Sequence, residues 1–110
     1  MDINERFIKA CASGDYQTVN IILNSIKDFN IDVTDSLGRT ALRLAVVNEN
    51  LEVVELLLTK TDSQKLREAL LLAIYIGHTQ IAELILRHPQ YKIFNNKKLL
   101  NGATDSFWQT

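Results

Sequence analysis

Apolar residues recur at helical spacing in two segments of the chain that share one layout, residues 42–58 and 70–86. Each segment opens on five mostly apolar residues, continues through a short turn that is polar or contains glycine, and ends on a second apolar-rich run. This spacing indicates two amphipathic helices joined by a tight turn. A third, degenerate copy of the layout occupies residues 7–23. Internal repetition of this kind is typical of a stack of like units.

An alanine lies at the same place in each copy, at Ala10, Ala45 and Ala73, so the copies are 35 and 28 residues apart. These spacings bracket a repeat period of roughly 33 residues that is known for one class of helical stack. Two helices approach closely only where no bulky side chain intervenes, and the next unit must pack against the same position. We therefore expect the alanines to mark the seams between units.

The copies divide the chain into one repeat domain and a tail. We place the domain at residues 1–90, with approximate repeats at 4–33, 34–62 and 63–90. The periodicity fails beyond this point, so residues 91–110 are interpreted as a C-terminal tail or as the start of a further, incomplete repeat. The predicted fold class is all-α, a solenoid of about three helix-turn-helix repeats.

The two links between the copies differ. Residues 30–39 alternate the apolar Ile31 and Val33 with polar residues, and turn-forming residues with Gly38 follow. Alternation that ends in turn residues predicts a short β-hairpin, which would project from the stack as a finger. The second link, residues 59–65, is shorter and polar and has neither glycine nor alternation. It leaves no room for a second finger.

Residues of the types that cap helices stand where two of the helices are expected to begin. Thr40 precedes the first helix of the middle copy, and Asp62 or Ser63 precedes the first helix of the third copy. The side-chain oxygen of such a residue accepts a hydrogen bond from a backbone N–H of the first turn. We therefore predict N-caps at these positions.

The middle copy resembles the ankyrin repeat. The ankyrin pattern of Asp, two spacers, Gly, a polar residue and Thr, followed by an apolar first helix, is matched by residues 35–46. The ankyrin second-helix pattern is matched by residues 51–58, and the copies at 5–27 and 66–88 are in register with it. The resemblance implies an ankyrin-type solenoid of about three repeats with one β-hairpin finger.

The copies depart from the ankyrin pattern at the start of the first helix. Ala41 and Arg43 stand where the family carries Pro and His, and Glu68 and Leu71 stand where it carries Thr and His. The packing pattern is retained at the apolar positions. The resemblance therefore implies a stack that lacks the family's Thr–His hydrogen bonding and is less stable for it.

A narrower resemblance covers residues 5–90. The finger at 31–39, the turn and second helix at 48–58, the helix at 69–74 and the missing second finger are similar to the cytosolic N-terminal ankyrin region of C-type transient receptor potential channels. This resemblance implies a fragment or short form of such a cation channel, which serves assembly or regulation at the cytosolic face of the plasma membrane. The alternative is a free-standing cytosolic ankyrin adaptor or inhibitor.

Charge and hydropathy exclude several classes of protein. The formal net charge is −1, whereas domains that bind nucleic acid usually carry a basic surplus, so no nucleic-acid partner is expected. The longest apolar run, residues 69–76, is far shorter than the roughly 20 residues of a membrane-spanning helix. The N-terminus is acidic rather than the basic start of a signal peptide. We expect a cytoplasmic chain without a membrane span.

No group of residues has the spacing of a catalytic, cofactor or metal site. The residues that could carry chemistry are the single cysteine, Cys11, and the two histidines, His78 and His88. They form no Cys-x-x-Cys or His-x-x-x-His pair, and the glycines are too isolated to form a phosphate-binding loop. Cys11 falls in a helix core position, which favours a buried small hydrophobe over a reactive thiol. We predict a protein that is not an enzyme and needs no cofactor or metal.

A protein partner is the expected ligand. The finger and the ends of the first helices should line the concave side of the stack, and the candidate contact residues there are Thr34, Asp35, Ser36, Leu37, Val47, Asn48, Tyr75 and Ile76. Exposed Val47, Tyr75 and Ile76 would form an apolar strip of the kind that marks an interface. The alternative is that a following repeat, or the tail that contains Phe107 and Trp108, covers this strip.

The tail also carries three basic residues, Lys92, Lys97 and Lys98, among apolar and aromatic ones. Weak contact with an anionic lipid surface is one interpretation, worth on the order of 1 kcal/mol per basic residue near that surface. A solvated tail is the other interpretation.

Overall fold

Three helix-turn-helix pairs follow one another in the computed structural model, which describes residues 2–89. The helices are α1 (Ile3–Ser13), α2 (Tyr16–Ser25), α3 (Ala41–Val47), α4 (Leu51–Leu58), α5 (Ser63–Ile76) and α6 (Thr79–Leu86). The first helices of successive pairs pack side by side, α1 on α3 and α3 on α5, and the second helices do the same. This arrangement confirms the predicted all-α solenoid. The predicted tail, 91–110, lies outside the described residues.

Side chains of the predicted type begin the helices. The N-caps that accept a hydrogen bond from a backbone N–H three residues on are Asp2, Asp15, Thr40 and Asp62. The carboxylate of Asp62 accepts from the N–H of Lys65 at 2.8 Å. Because such a bond satisfies a donor that the helix leaves unpaired, each cap fixes the residue at which its helix starts. The predicted caps at Thr40 and Asp62 are confirmed.

The core is one cluster that runs through all three pairs. Ala10, Ala45 and Ala73 are buried in it, as the seam prediction requires. The ring of Phe29, from the segment after α2, lies 4.7 Å from that of Phe7 in α1, measured between ring centroids. This contact ties the start of the finger segment to the first repeat.

The finger is a turn closed by one bridge rather than a hairpin with two strands. Its only ladder contact among the described residues is an antiparallel bridge between Thr34 and Thr40. The carboxylate of Asp35 takes the place of further strand-to-strand hydrogen bonds. It accepts hydrogen bonds from the N–H groups of Leu37 and Arg39 at 2.9 Å each, and it forms an ion pair with the Arg39 guanidinium at 2.8 Å. A local Asx-type turn of this kind competes with strand pairing. The extended strands predicted from the alternation at 31–33 are therefore wrong, although the projecting finger is present.

The link from α4 to α5 is as short as its sequence predicts. The buried hydroxyl of Thr61 donates to the carbonyl of Leu57 at 2.6 Å, which closes the end of α4. Asp62 then caps α5 at once. Only residues 59–62 lie between the two helices, too few for a second finger.

Candidate interaction surface

The finger presents its tip to solvent. Thr34 and Ser36 are exposed, and Leu37, at the tip, is exposed more fully than most apolar residues of the chain. Asp35 is half-buried and its carboxylate is occupied by the turn. The donated N–H of Arg39 and the nearby guanidinium of the same residue hold the pKa of Asp35 below its usual range. Of the predicted contact residues, Asp35 therefore positions the tip, whereas Leu37 is available to a partner.

The ends of α3 and α5 carry the next predicted contacts. Val47 and Tyr75 hold equivalent places at the ends of these helices and are 43% and 87% exposed. Ile76 packs partly against the core and is half-buried, so it is less exposed than predicted. The amide of Asn48 donates to the carbonyl of Ala12 at 3.0 Å, which commits it to the seam between the first two repeats. The accessible apolar part of this surface is formed by Val47 and Tyr75.

Two further exposed apolar residues of α5 were not predicted from the sequence. Leu71 lies one turn before both Ile74 and Tyr75 on α5, and Leu71 and Ile74 are each 59% exposed. A helical spacing of three and four residues places such side chains together. The i, i+3, i+4 pattern in residues 71–75 was the signal that could have found them.

Hydrogen bonds between successive turns hold the ends of the first helices together. The amide of Asn50 donates to the carbonyls of Cys11 and Ala12, both at 2.9 Å. One repeat later, Nε2 of His78 lies 3.1 Å from the carbonyl oxygen of Val47, and its Nδ1 lies 2.9 Å from a carboxylate oxygen of Glu49. The turn of each repeat is thus fastened to the turn of the repeat before it. His78 has the structural role that its place in the turn predicts.

Glu49 has an unusual backbone for its residue type. It has φ of 60°, in the left-handed region, where the equivalent positions of the other two repeats carry glycine at Gly14 and Gly77. Residues other than glycine adopt this conformation at a cost of about 1–2 kcal/mol. In return, the carboxylate of Glu49 reaches His78. The substitution of glutamate for glycine in an otherwise repeated turn was the sequence signal for this contact.

Cys11 is fully buried among apolar side chains of the core. Burial raises the pKa of its thiol to about 12, because a thiolate is poorly solvated there. The predicted buried hydrophobe is confirmed. Within residues 2–89 no three His, Cys, Asp or Glu side chains lie close enough to hold a metal ion, and no helix there is both long and apolar enough to cross a membrane.

Comparison with known proteins agrees with the repeated architecture. A family model for ankyrin repeats in three copies matches residues 7–98. The chain is 45% identical over 87 residues to short transient receptor potential channel 3 of Homo sapiens, which covers 79% of this chain and 9% of that protein. It is 43% identical over 86 residues to a transient-receptor-potential-like protein of Caenorhabditis elegans, which covers 76% of this chain and 8% of that one. The chain spans about a tenth of the length of the curated relatives that it matches.

Proposed function

The chain belongs to the ankyrin-repeat family, a non-enzymatic interaction fold, and on that premise we propose that it is a protein-protein interaction module of a C-type transient receptor potential channel. In this proposal it is the cytosolic N-terminal part of such a cation channel, at the plasma membrane, and serves subunit assembly or regulation. The observation that carries the proposal is the identity of 43–45% to channel proteins over 86–87 of the 110 residues.

The surface chemistry supports a protein as the ligand. Tyr75 is 87% exposed at the end of α5, and Val47, which holds the equivalent place at the end of α3, is 43% exposed. Tyrosine is among the residue types that carry most binding energy when they enter a partner's pocket. Val47 and Asn48, at the end of α3, are the predicted contacts on the same side as this anchor. The finger lies at the other end of the first helices, where Thr34 lines a groove with Lys65 and Glu68 at the start of α5.

The turn-to-turn hydrogen bonds support a preformed surface. His78 and Glu49 hold the end of α3, which carries Val47, against the turn that follows Tyr75. A surface whose side chains are already ordered loses less conformational entropy on binding than a flexible one. Affinity should therefore be set by the apolar anchors and little by the charges at the rim.

A binding experiment tests the surface. The probe is the purified cytosolic N-terminal region of short transient receptor potential channel 3, titrated into the 110-residue chain. Tyr75→Ala should weaken binding by at least tenfold, about 1.4 kcal/mol, without a change in thermal stability, because the side chain packs little within the chain. Ile21→Ala is the matched control, since Ile21 is 62% exposed on the first repeat. Equal affinities for the wild type and Tyr75→Ala would refute this placement of the surface.

The alternative, a free-standing cytosolic ankyrin adaptor or inhibitor, uses the same surface and differs in what the transcript encodes. The experiment is to sequence the transcript beyond the codon of Thr110. A frame that continues into several apolar stretches of about 20 residues each is the expected result for a channel. A stop codon would instead favour the adaptor.

A further inference from the structure

One position of the first helix, held by Cys11, Val46 and Ile74 in the three repeats, is buried in the first two repeats and exposed in the third. Cys11 and Val46 are fully buried, because in each case the first helix of the following repeat covers them. Ile74, their equivalent in α5, is 59% exposed. The second helices repeat the contrast, since Leu58 is fully buried and its equivalent Leu86 is 46% exposed.

Leu71, which is 59% exposed, lies one turn before Ile74 on α5 and borders the same face; its equivalents are the buried Ile8 in the first repeat and the exposed Arg43 in the second. We name Leu71, Ile74 and Leu86 the end face. Tyr75 is not part of it: Val47, the equivalent of Tyr75, stays exposed even though α5 packs against α3. An occupant of the end face therefore leaves the proposed partner surface accessible.

The opposite end of the stack has a different chemistry. The shallow groove on the outer side of the first repeat is lined mainly by polar side chains, among them Arg6, Lys9, Ser13 and Thr18. Terminal repeats of a solenoid need a polar outer face to remain soluble. The first repeat has such a polar outer face, whereas the third has an apolar one. We therefore expect the end face to be covered.

We propose that residues 90–110 of this chain cover the end face. This segment follows α6 directly and starts four residues after Leu86, which itself lies on the end face. Its apolar residues, which supply the matching surface, are Tyr91, Ile93, Phe94, Leu99, Leu100, Phe107 and Trp108. The ankyrin family model also extends past α6 into this segment, to residue 98.

Tethering favours this occupant over a second copy of the chain. A segment joined to the face by a short link is present there at an effective concentration on the order of millimolar. A second copy reaches that concentration only in a millimolar solution of the protein. At micromolar concentration the segment therefore occupies the face first.

The chain contains a single tryptophan, Trp108, which makes the proposal directly testable. In the full 110-residue chain, Trp108 should emit at a shorter wavelength than N-acetyltryptophanamide and be less quenched by acrylamide. Ile74→Glu should move both quantities toward those of the free amide and lower the midpoint of thermal unfolding by several degrees. Ile21→Glu, at an equally exposed isoleucine of the first repeat, should change none of the three.

Each outcome decides the proposal. If nothing covers position 74, Ile74→Glu would leave both the fluorescence and the unfolding midpoint unchanged. That result would overturn the proposal. A response to Ile74→Glu in either the fluorescence or the midpoint, independent of protein concentration, supports it even where Trp108 itself is not the residue in contact. If the fluorescence and midpoint vary with concentration, and sedimentation equilibrium shows a dimer, a second copy covers the face and the proposal is wrong.

Discussion

Two glycines with the same backbone conformation provide a test of the bonds between the turns. Gly14 and Gly77 close α1 and α5 with φ of 79° and 80°, so alanine at either position bears the same left-handed strain. Their surroundings differ. A Cβ at position 14 would lie 2.9 Å from Oδ1 and 3.1 Å from Cγ of Asn50, whereas a Cβ at position 77 would meet nothing within 4 Å.

The magnitudes follow from these contacts. Left-handed alanine costs about 1–2 kcal/mol, and that is the whole expected effect of Gly77→Ala. Gly14→Ala must also displace the Asn50 side chain, which donates to the carbonyls of Cys11 and Ala12. Each such bond contributes about 0.5–1.5 kcal/mol net, so Gly14→Ala should cost about 1–3 kcal/mol more than Gly77→Ala.

Urea unfolding of the two variants measures the difference, and thermal unfolding should show it as about 4–8 °C per kcal/mol for a domain of this size. Asn50→Ala supplies the control background, because there the new methyl group meets no amide and Gly14→Ala should cost no more than Gly77→Ala. If Gly14→Ala and Gly77→Ala destabilise the wild-type chain equally, the bonds from Asn50 do not join the first two repeats in the way described.

Acidity and thiol chemistry provide two further predictions. The carboxylates of Asp2, Asp15 and Asp35 have lowered pKa values in the folded chain because of the hydrogen bonds that they accept, so the folded state binds protons more weakly than the unfolded state. The stability that they contribute is complete above the unfolded pKa of about 3.9 and is lost as the pH falls through the lower folded pKa. Urea unfolding should therefore show that the free energy of unfolding falls less between pH 7 and pH 3 for Asp35→Asn than for the wild type or Asp32→Asn. Equal decreases in the three proteins would contradict this. Cys11, with its thiol pKa near 12, should react with a disulfide reagent at pH 8 only as fast as the chain unfolds, and urea should accelerate the reaction; complete reaction on mixing would contradict its burial.

Local patterns were sufficient to predict the helices and the starting points of two of them. Thr40 and Asp62 cap helices because an acceptor three residues before a free N–H needs only the local backbone. Ala10, Ala45 and Ala73 were identified as seams because closely packed helices need a small side chain at the same place in each copy. Both arguments use short stretches of chain, where sequence spacing fixes distance in space.

The finger and the turn contacts were harder to predict because side chains decide them. Asp35 turned an apparent hairpin into a side-chain-stabilised turn by satisfying backbone donors that a strand would have paired. Glu49 and His78 lie 29 positions apart, and only the height of one repeat in the stack brings a carboxylate and an imidazole to 2.9 Å. No periodicity in the sequence encodes that distance.

The polar side chains that follow α3 and α5 form hydrogen bonds within the stack, and this affects what a partner can bind there. Asn48 and Asn50 donate to the carbonyls at the end of α1, while His78 contacts Val47 and Glu49. Because these side chains already hold hydrogen-bonding partners, a ligand gains little by approaching them. The apolar side chains between them have no such use inside the described stack. A partner should therefore recognise this surface by burying Val47 and Tyr75, and added salt, which screens exposed charges, should change its affinity only slightly.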